Sequence, residues 1–196
     1  DAWLGPAPER PWHSRIFSSG WLQYWDFVGG GMSDDGIHQL DLALMALGDP
    51  GMPKRVSCTA GHFAYPENES EIPDVQMATF EFDTFVLRYE LSRYQKYMAK
   101  TTDTIRRNDL FPYWTQNATR IELYGSETLM TLGRHGGGWQ VMRAAGTLVD
   151  QMYGRPCDNE HYTNFLECIQ TREKPNADIE IAHVAQTMVH MANIAH

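Results

Sequence analysis

The chain has 196 residues, 42% apolar and 21% charged, with a formal net charge of −9. This length suits one domain of about 100–200 residues, and the composition is globular, which excludes a disordered or fibrous chain. The 16 Lys and Arg are scattered, which argues against a nucleic-acid partner, and no run of about 18 apolar residues occurs that would cross a membrane as a helix.

Residues 1–31 combine Pro, Gly and Trp (WLGPAPERPW, SGWLQYWDFVGGG) and read as an ordered, aromatic-studded loop. Ile37, Leu40, Leu44 and Leu47 then recur at helical spacing before Gly48-Asp49-Pro50, predicting a helix over 34–48. Strands follow at 55–63, 75–82 and 85–93, the last two joined through Asp83-Thr84 as a tight hairpin. Val86, Arg88 and Glu90 alternate with Leu87, Tyr89 and Leu91, the pattern of a sheet with one buried face. Residues 94–118 show no period and read as a long excursion, after which strands resume at 119–125, 128–133 and 138–143. Helix 159–172 carries a stripe of Tyr162, Phe165, Leu166 and Ile169, and helix 177–195 one of Ile181, Val184, Ala185, Met188, Met191 and Ala192. The expected architecture is a single α+β domain over 1–196: an open, largely antiparallel β-sheet (54–143) with helices packed on one face (159–195). The other sheet face is either solvated or covered by a partner.

Cys58, Cys157 and Cys168 are odd in number and lack C-x-x-C spacing, so they read as reduced thiols, and the expected compartment is the cytoplasm. The opening DAWLGPAPERPW has neither an initiator Met nor a signal pattern and reads as part of something longer, with any export signal lying upstream of residue 1.

The densest chemistry lies in GGGMSDDGIHQLD, residues 29–41. Ser33, Asp34 or Asp35 can cap a helix there. Asp34, His38 and Asp41 stand at i, i+4 and i+7, on one helical face, beside three glycines that permit close approach. Three readings fit: a cap with a satisfied histidine, a general base formed by a His beside a carboxylate, and a divalent-metal site on Asp34, His38 and Asp41. The metal reading needs further ligands, and His13, His62 and His135 have no supporting spacing.

This stretch resembles the G-G-G-x-L-x-D-x-G-x-H-x-x-D signature in the second domain of the Gfo/Idh/MocA family, the glucose-fructose oxidoreductase and inositol dehydrogenase family of NAD(P)-dependent oxidoreductases. WLGPAPERPWH, IPDVQMATFEF and NFLECIQTREKPNADIEIAH resemble further family stretches in the same order, so the likeness covers nearly the whole chain. The resemblance implies that His38 exchanges the proton of a substrate hydroxyl while hydride passes to or from nicotinamide, and that Asp34 orients His38 and bonds substrate. It implies NAD or NADP, bound mainly by an N-terminal Rossmann domain, because the chain contains no G-x-G-x-x-G turn. The substrate class it implies is a sugar, cyclitol or related polyol, with no metal and with a homo-oligomer, dimer or tetramer, formed through the sheet face. Some relatives use the same transient oxidation to cleave glycosidic bonds. Glu173-Lys174-Pro175 mimics the family's catalytic E-K-P, but it follows His38 and ends a predicted helix, where dipole complementarity explains a lysine. This chain alone is therefore expected to hold half an active site and to be inactive.

Trp21, Tyr24 and Trp25, just upstream of Gly29, suit either the apolar face of a sugar or core packing. His13 is a polar companion to them. His161 resembles a pocket-facing position of the family. The competing function is a non-catalytic carbohydrate-binding or dimerisation module of the same fold.

Overall fold

The computed structural model describes residues 3–18, 20–93 and 95–196, with Arg15 described by its backbone alone. Residues 1, 2 and 19 of the expected 1–31 loop, and residue 94 of the expected excursion, lie outside the described set. The chain forms two compact units, Asp1–Tyr94 with Ile181–His196, and Gln95–Glu180.

In the first unit, helix α1 (Ser14–Phe17) and a 3₁₀ turn (Gly20–Gln23) precede helix α2, which has a π-helical stretch at Met32–Gly36 and continues as α-helix over Ile37–Ala46. Strands β1 (Arg55–Gly61), β2 (Val75–Glu81) and β3 (Val86–Ser92) form an antiparallel sheet in the order β1-β2-β3. The Asp83-Thr84 hairpin forms as expected, with Phe82 N–H donating to Phe85 O at 3.0 Å. The register places Cys58, Ala78 and Tyr89 in one row and Val56, Phe80 and Leu87 in the next, so side-chain alternation directs both rows to one face. Onto that face pack Met32, Leu40 and Leu44 of α2 and Ala185, Met188, Val189 and Ala192 of the last helix, all fully or nearly fully buried. The opposite face carries Ser57, Thr79, Arg88, Glu81 and Glu90 together with exposed Met77 and Val86.

The second unit contains α3 (Asp103–Arg107), β4 (Arg120–Tyr124), β5 (Leu129–Gly133), β6 (Trp139–Met142), β7 (Leu148–Met152) and α4 (Asp158–Thr171). The last helix, α5 (Ile179–Ala195), begins here and enters the first unit at Ile181. Strands β4 to β7 form an antiparallel meander. The α+β class and antiparallel pairing are as expected, but the strands divide into two sheets, and β7 was not anticipated because LVDQM is short and almost wholly exposed. The expected excursion is laced to its own unit. Asn117, 3% exposed, donates to Thr101 Oγ1 at 2.9 Å and accepts from Thr119 N–H at 2.9 Å, while Trp114 Nε1 donates to Gln140 Oε1 at 2.8 Å. The α4 stripe of Tyr162, Phe165, Leu166 and Ile169 forms as a stripe yet is exposed.

Asp74, at the start of β2 and only 3% exposed, anchors the first sheet. Its carboxylate accepts backbone N–H bonds from Phe63 at 2.9 Å, Ala64 at 3.2 Å and Tyr65 at 2.7 Å, closing the β1–β2 loop. Its carbonyl accepts from Arg93 N–H at 3.1 Å, tying the end of β3 to the same point. Burial opposes ionisation of this carboxyl, but the three amide donors, aided by His62, hold it below the usual carboxylate range. The unfolded chain, with its Asp near ~3.9, therefore binds more protons in the interval between the two pKa values, so this stabilisation is present above that interval and is lost as pH falls through it. Asp74→Ala is expected to lower the unfolding free energy by about 2–3 kcal/mol at pH 7. Urea unfolding of both proteins at pH 7 and pH 3 checks this: the gap should narrow on acidification, and a gap independent of pH excludes the charge-assisted anchor.

Candidate functional site

Gly30 turns the chain into α2 with φ +76°, and at Gly31 the backbone is already helical (φ −62°, ψ −27°). The expected cap is corrected here: the cap position is Gly31, which has no side chain to offer, and Ser33, Asp34 and Asp35 lie inside the first turns. The reason is packing against β3. Gly31 and Gly36 are five residues apart, the i→i+5 repeat of a π-helix, so one turn separates two positions without side chains. A Cβ on Gly31 would stand 2.9 Å from a terminal guanidinium nitrogen of Arg93 and 3.1 Å from Leu91 Cδ2; one on Gly36 would stand 2.5 Å from the Tyr89 hydroxyl oxygen. Tyr89, Leu91 and Arg93 alternate along β3 and its continuation, so this edge of the sheet lies along the helix start. Behind it, Gln76 donates to Asn193 Oδ1 at 3.0 Å and Asn193 donates to Gly29 O at 2.8 Å, which ties α5 to the glycine run.

Asp34, His38 and Asp41 are all exposed on the helix fixed in this way. Among the described residues, no hydrogen bond joins Asp34 to His38. The electrostatic partner of the imidazole is Asp41, whose carboxyl is pushed up by burial and by Asp49 and drawn down by His38. Among the described residues, no group of three His, Cys, Asp or Glu side chains is placed to hold a metal ion, so the metal reading of Asp34, His38 and Asp41 gains nothing from the geometry. Tyr89, unremarked in the sequence as a site residue, is buried beneath Gly36; burial, with Asp35 adding, raises its phenol well above the usual range, and it stays protonated.

The aromatic turn is connected to this helix through residues 70–72. Glu71 N–H donates to Gln23 O at 2.9 Å, Glu71 Oε2 accepts from Trp25 N–H at 3.0 Å, and Ile72 fills the space beside Gly30. Tyr24 lies under the Arg10 guanidinium, 4.5 Å from its ring centroid, and Arg10 also reaches Asp26 at 3.3 Å and Glu71 at 3.4 Å. The Tyr24 ring is thus held by a cation–π contact within the turn. Trp21 is half-buried, Trp25 is 39% exposed, and His13 is exposed. His161 lies in the second unit, exposed on the first turn of α4 with its ring 5.9 Å from that of Tyr162. Lys174 is an exposed residue between α4 and α5 that pairs with Asp178 at 2.7 Å and with Glu180.

Residues 1–65 match the profile of the Gfo/Idh/MocA oxidoreductase family, C-terminal alpha/beta domain. No curated protein matches the chain. Among solved structures, UDP-N-acetylglucosamine 3-dehydrogenase from Acidithiobacillus ferrooxidans is similar at 15% identity and TM-score 0.58, over 96% of this chain and 50% of that one. Aldose-aldose oxidoreductase from Caulobacter crescentus, in complex with glycerol, is similar at 14% identity and TM-score 0.63, over 96% and 50%. The WlbA dehydrogenase from Bordetella pertussis, in complex with NADH and UDP-GlcNAcA, is similar at 15% identity and TM-score 0.53, over 95% and 48%. The chain spans about half the length of these proteins. The family profile matches residues 1–65, and the likeness in fold to these solved oxidoreductases extends over nearly the whole chain, which bears out the resemblance read from the motifs.

Gly36→Ala forces a methyl group onto the Tyr89 hydroxyl and is expected to cost about 1–3 kcal/mol. In a Tyr89→Phe background the nearest atom recedes from 2.5 to 2.9 Å. A double-mutant cycle by chemical denaturation should therefore show the Gly36→Ala cost reduced by about 0.5 kcal/mol or more. Strictly additive costs would exclude this contact as the one that fixes the helix start.

Proposed function

We propose that the chain is the substrate-binding part of an NAD(P)-dependent oxidoreductase acting on a sugar, cyclitol or related polyol. The observation that carries this reading is the exposure of His38 and Asp34 on a helix whose rear is locked against β3 by Gly31 and Gly36. His38 takes the proton of the hydroxyl being oxidised, or returns it in the reverse direction, and Asp34 accepts a hydrogen bond from the substrate. Because no hydrogen bond joins Asp34 to His38, we assign Asp34 to the substrate rather than to orienting the imidazole; Asp41 supplies the charge beside it. Trp21, Tyr24 and Trp25 belong to the turn linked to Gly30, which supports a sugar-facing role for them, and we retain His13, just ahead of α1, and His161, in the second unit, as candidate substrate-binding residues.

NAD or NADP, when bound, supplies the hydride exchange. This chain does not fit the rest of that cofactor: Cβ atoms on Gly29 and Gly30 would stand 2.9 Å from Ser33 Cβ and 2.7 Å from Ile72 Cγ2, so these two glycines make room for neighbouring side chains rather than for a pyrophosphate. We assign that task to an N-terminal Rossmann half, in keeping with a chain about half as long as its structural relatives, and infer that the chain alone is inactive. A homo-oligomer, dimer or tetramer, through the sheet face is supported by exposed Leu148, Val149 and Met152 on β7. Three free cysteines support a cytoplasmic setting; among the described residues no helix is long and apolar enough to cross a membrane.

With the chain joined to a nucleotide-binding half, His38→Ala is expected to lower kcat about 10²- to 10⁴-fold for every accepted sugar, with KM little changed. Steady-state kinetics at several pH values measure this, and unchanged turnover would remove His38 from the chemistry.

A further inference from the structure

We propose that Arg93 recognises an anionic group on the substrate, so that the sugar bound along α2 carries a phosphate or carboxylate; this rests on reading α2 as the substrate helix. The guanidinium lies against Gly31, three residues before Asp34: a Cβ there would be 2.9 Å from one terminal nitrogen and 3.5 Å from Nε. Gly31 therefore provides the room that the guanidinium occupies. The Arg93 backbone N–H donates to Asp74 O at 3.1 Å, so the side chain leaves from a fixed point.

Three other cations of this unit are engaged, whereas Arg88, on the opposite face of β3, has no ion pair among the described residues. Arg10 pairs with Asp26 and Glu71, Lys54 with Asp83, and Arg55 with Glu81. Arg93, by contrast, has neither an ion pair nor a side-chain hydrogen bond among the described residues, although Asp34 and Asp35 lie on the adjoining helix. A guanidinium presents five donors in a fork that matches carboxylate and phosphate, and it cannot give up its charge. In a chain of net charge −9, an anionic ligand is repelled unless a local cation meets it. Gly31 and His38 are seven positions apart, about 10 Å along the helix axis, and the Arg93 side chain is exposed beside the first turn of that helix. A sugar with its reacting hydroxyl at His38 would thus present its charged substituent to Arg93, through charge-assisted hydrogen bonds.

The test is a ¹H–¹⁵N NMR titration of this chain with glucose 6-phosphate, glucuronate, glucose and NADH, reading the Gly31 amide and Arg93 Nε. The charged sugars are expected to shift both signals at concentrations at least about tenfold lower than glucose, equivalent to one factor of ten in affinity. Arg93→Gln should abolish that preference, Arg93→Lys should keep part of it, and His38→Ala should leave it intact. Equal binding of charged and neutral sugars, no response to any sugar, an unchanged preference in Arg93→Gln, or a response to NADH alone would each overturn the proposal. The readout needs no turnover, so failure of the His38 kinetics with the Arg93 preference preserved would remove the catalytic reading and leave anion recognition standing.

Discussion

The close approach of β3 to the first turns of α2 is the contact on which the candidate site depends. Two glycines, one π-turn apart, let Tyr89, Leu91 and Arg93 press directly on helix backbone. Such an interface is intolerant, because protein interiors are packed densely enough that a single added methyl group is felt. It fixes both the depth of the helix and its rotation, since a π-turn places the residues after it differently from an uninterrupted α-helix. Asp34 and His38 face outward because Met32, Leu40 and Leu44 of the same helix face the core.

Electrostatics follow the same division. Charge inside the first unit is held by dense hydrogen bonding, as at Asp74, where three amide donors outweigh burial. Charge around the aromatic turn is neutralised in pairs around Arg10. At the helix surface it is left available: Asp34, His38 and Arg93 are exposed side chains on rigid backbone, the arrangement expected of groups that meet a ligand rather than each other. Surface ion pairs such as Arg55 with Glu81 contribute little to stability and do not alter this division.

Much of this architecture was legible in the residues. The spacing of Leu40 and Leu44, the alternation through Tyr89 and Leu91, and the Asp83-Thr84 hairpin each correspond to an observed element, because helix and strand periods are set locally. The π-turn was not legible: Gly-Gly-Gly and Asp-Asp-Gly look like loop and cap signals, and the partner that makes glycine necessary at 31 and 36 lies more than fifty residues away on β3. Arg93 and Asp74 were missed for the same reason, since their roles come from long-range contacts to Gly31 and to residues 63–65. Periodicity also identified the α4 stripe without indicating whether it would be covered; Phe165 and Leu166 are exposed. The division of the strands into two sheets is a matter of topology, which strand-by-strand alternation does not encode.

The most direct measurement is a crystal structure of the chain joined to a nucleotide-binding half, with nicotinamide cofactor and a sugar bound. A ring nitrogen of His38 is expected within about 2.6–3.2 Å of the hydroxyl on the carbon that faces the nicotinamide. A sugar whose reacting hydroxyl is held by another side chain, with His38 turned to solvent, would contradict the assignment of α2 as the catalytic helix.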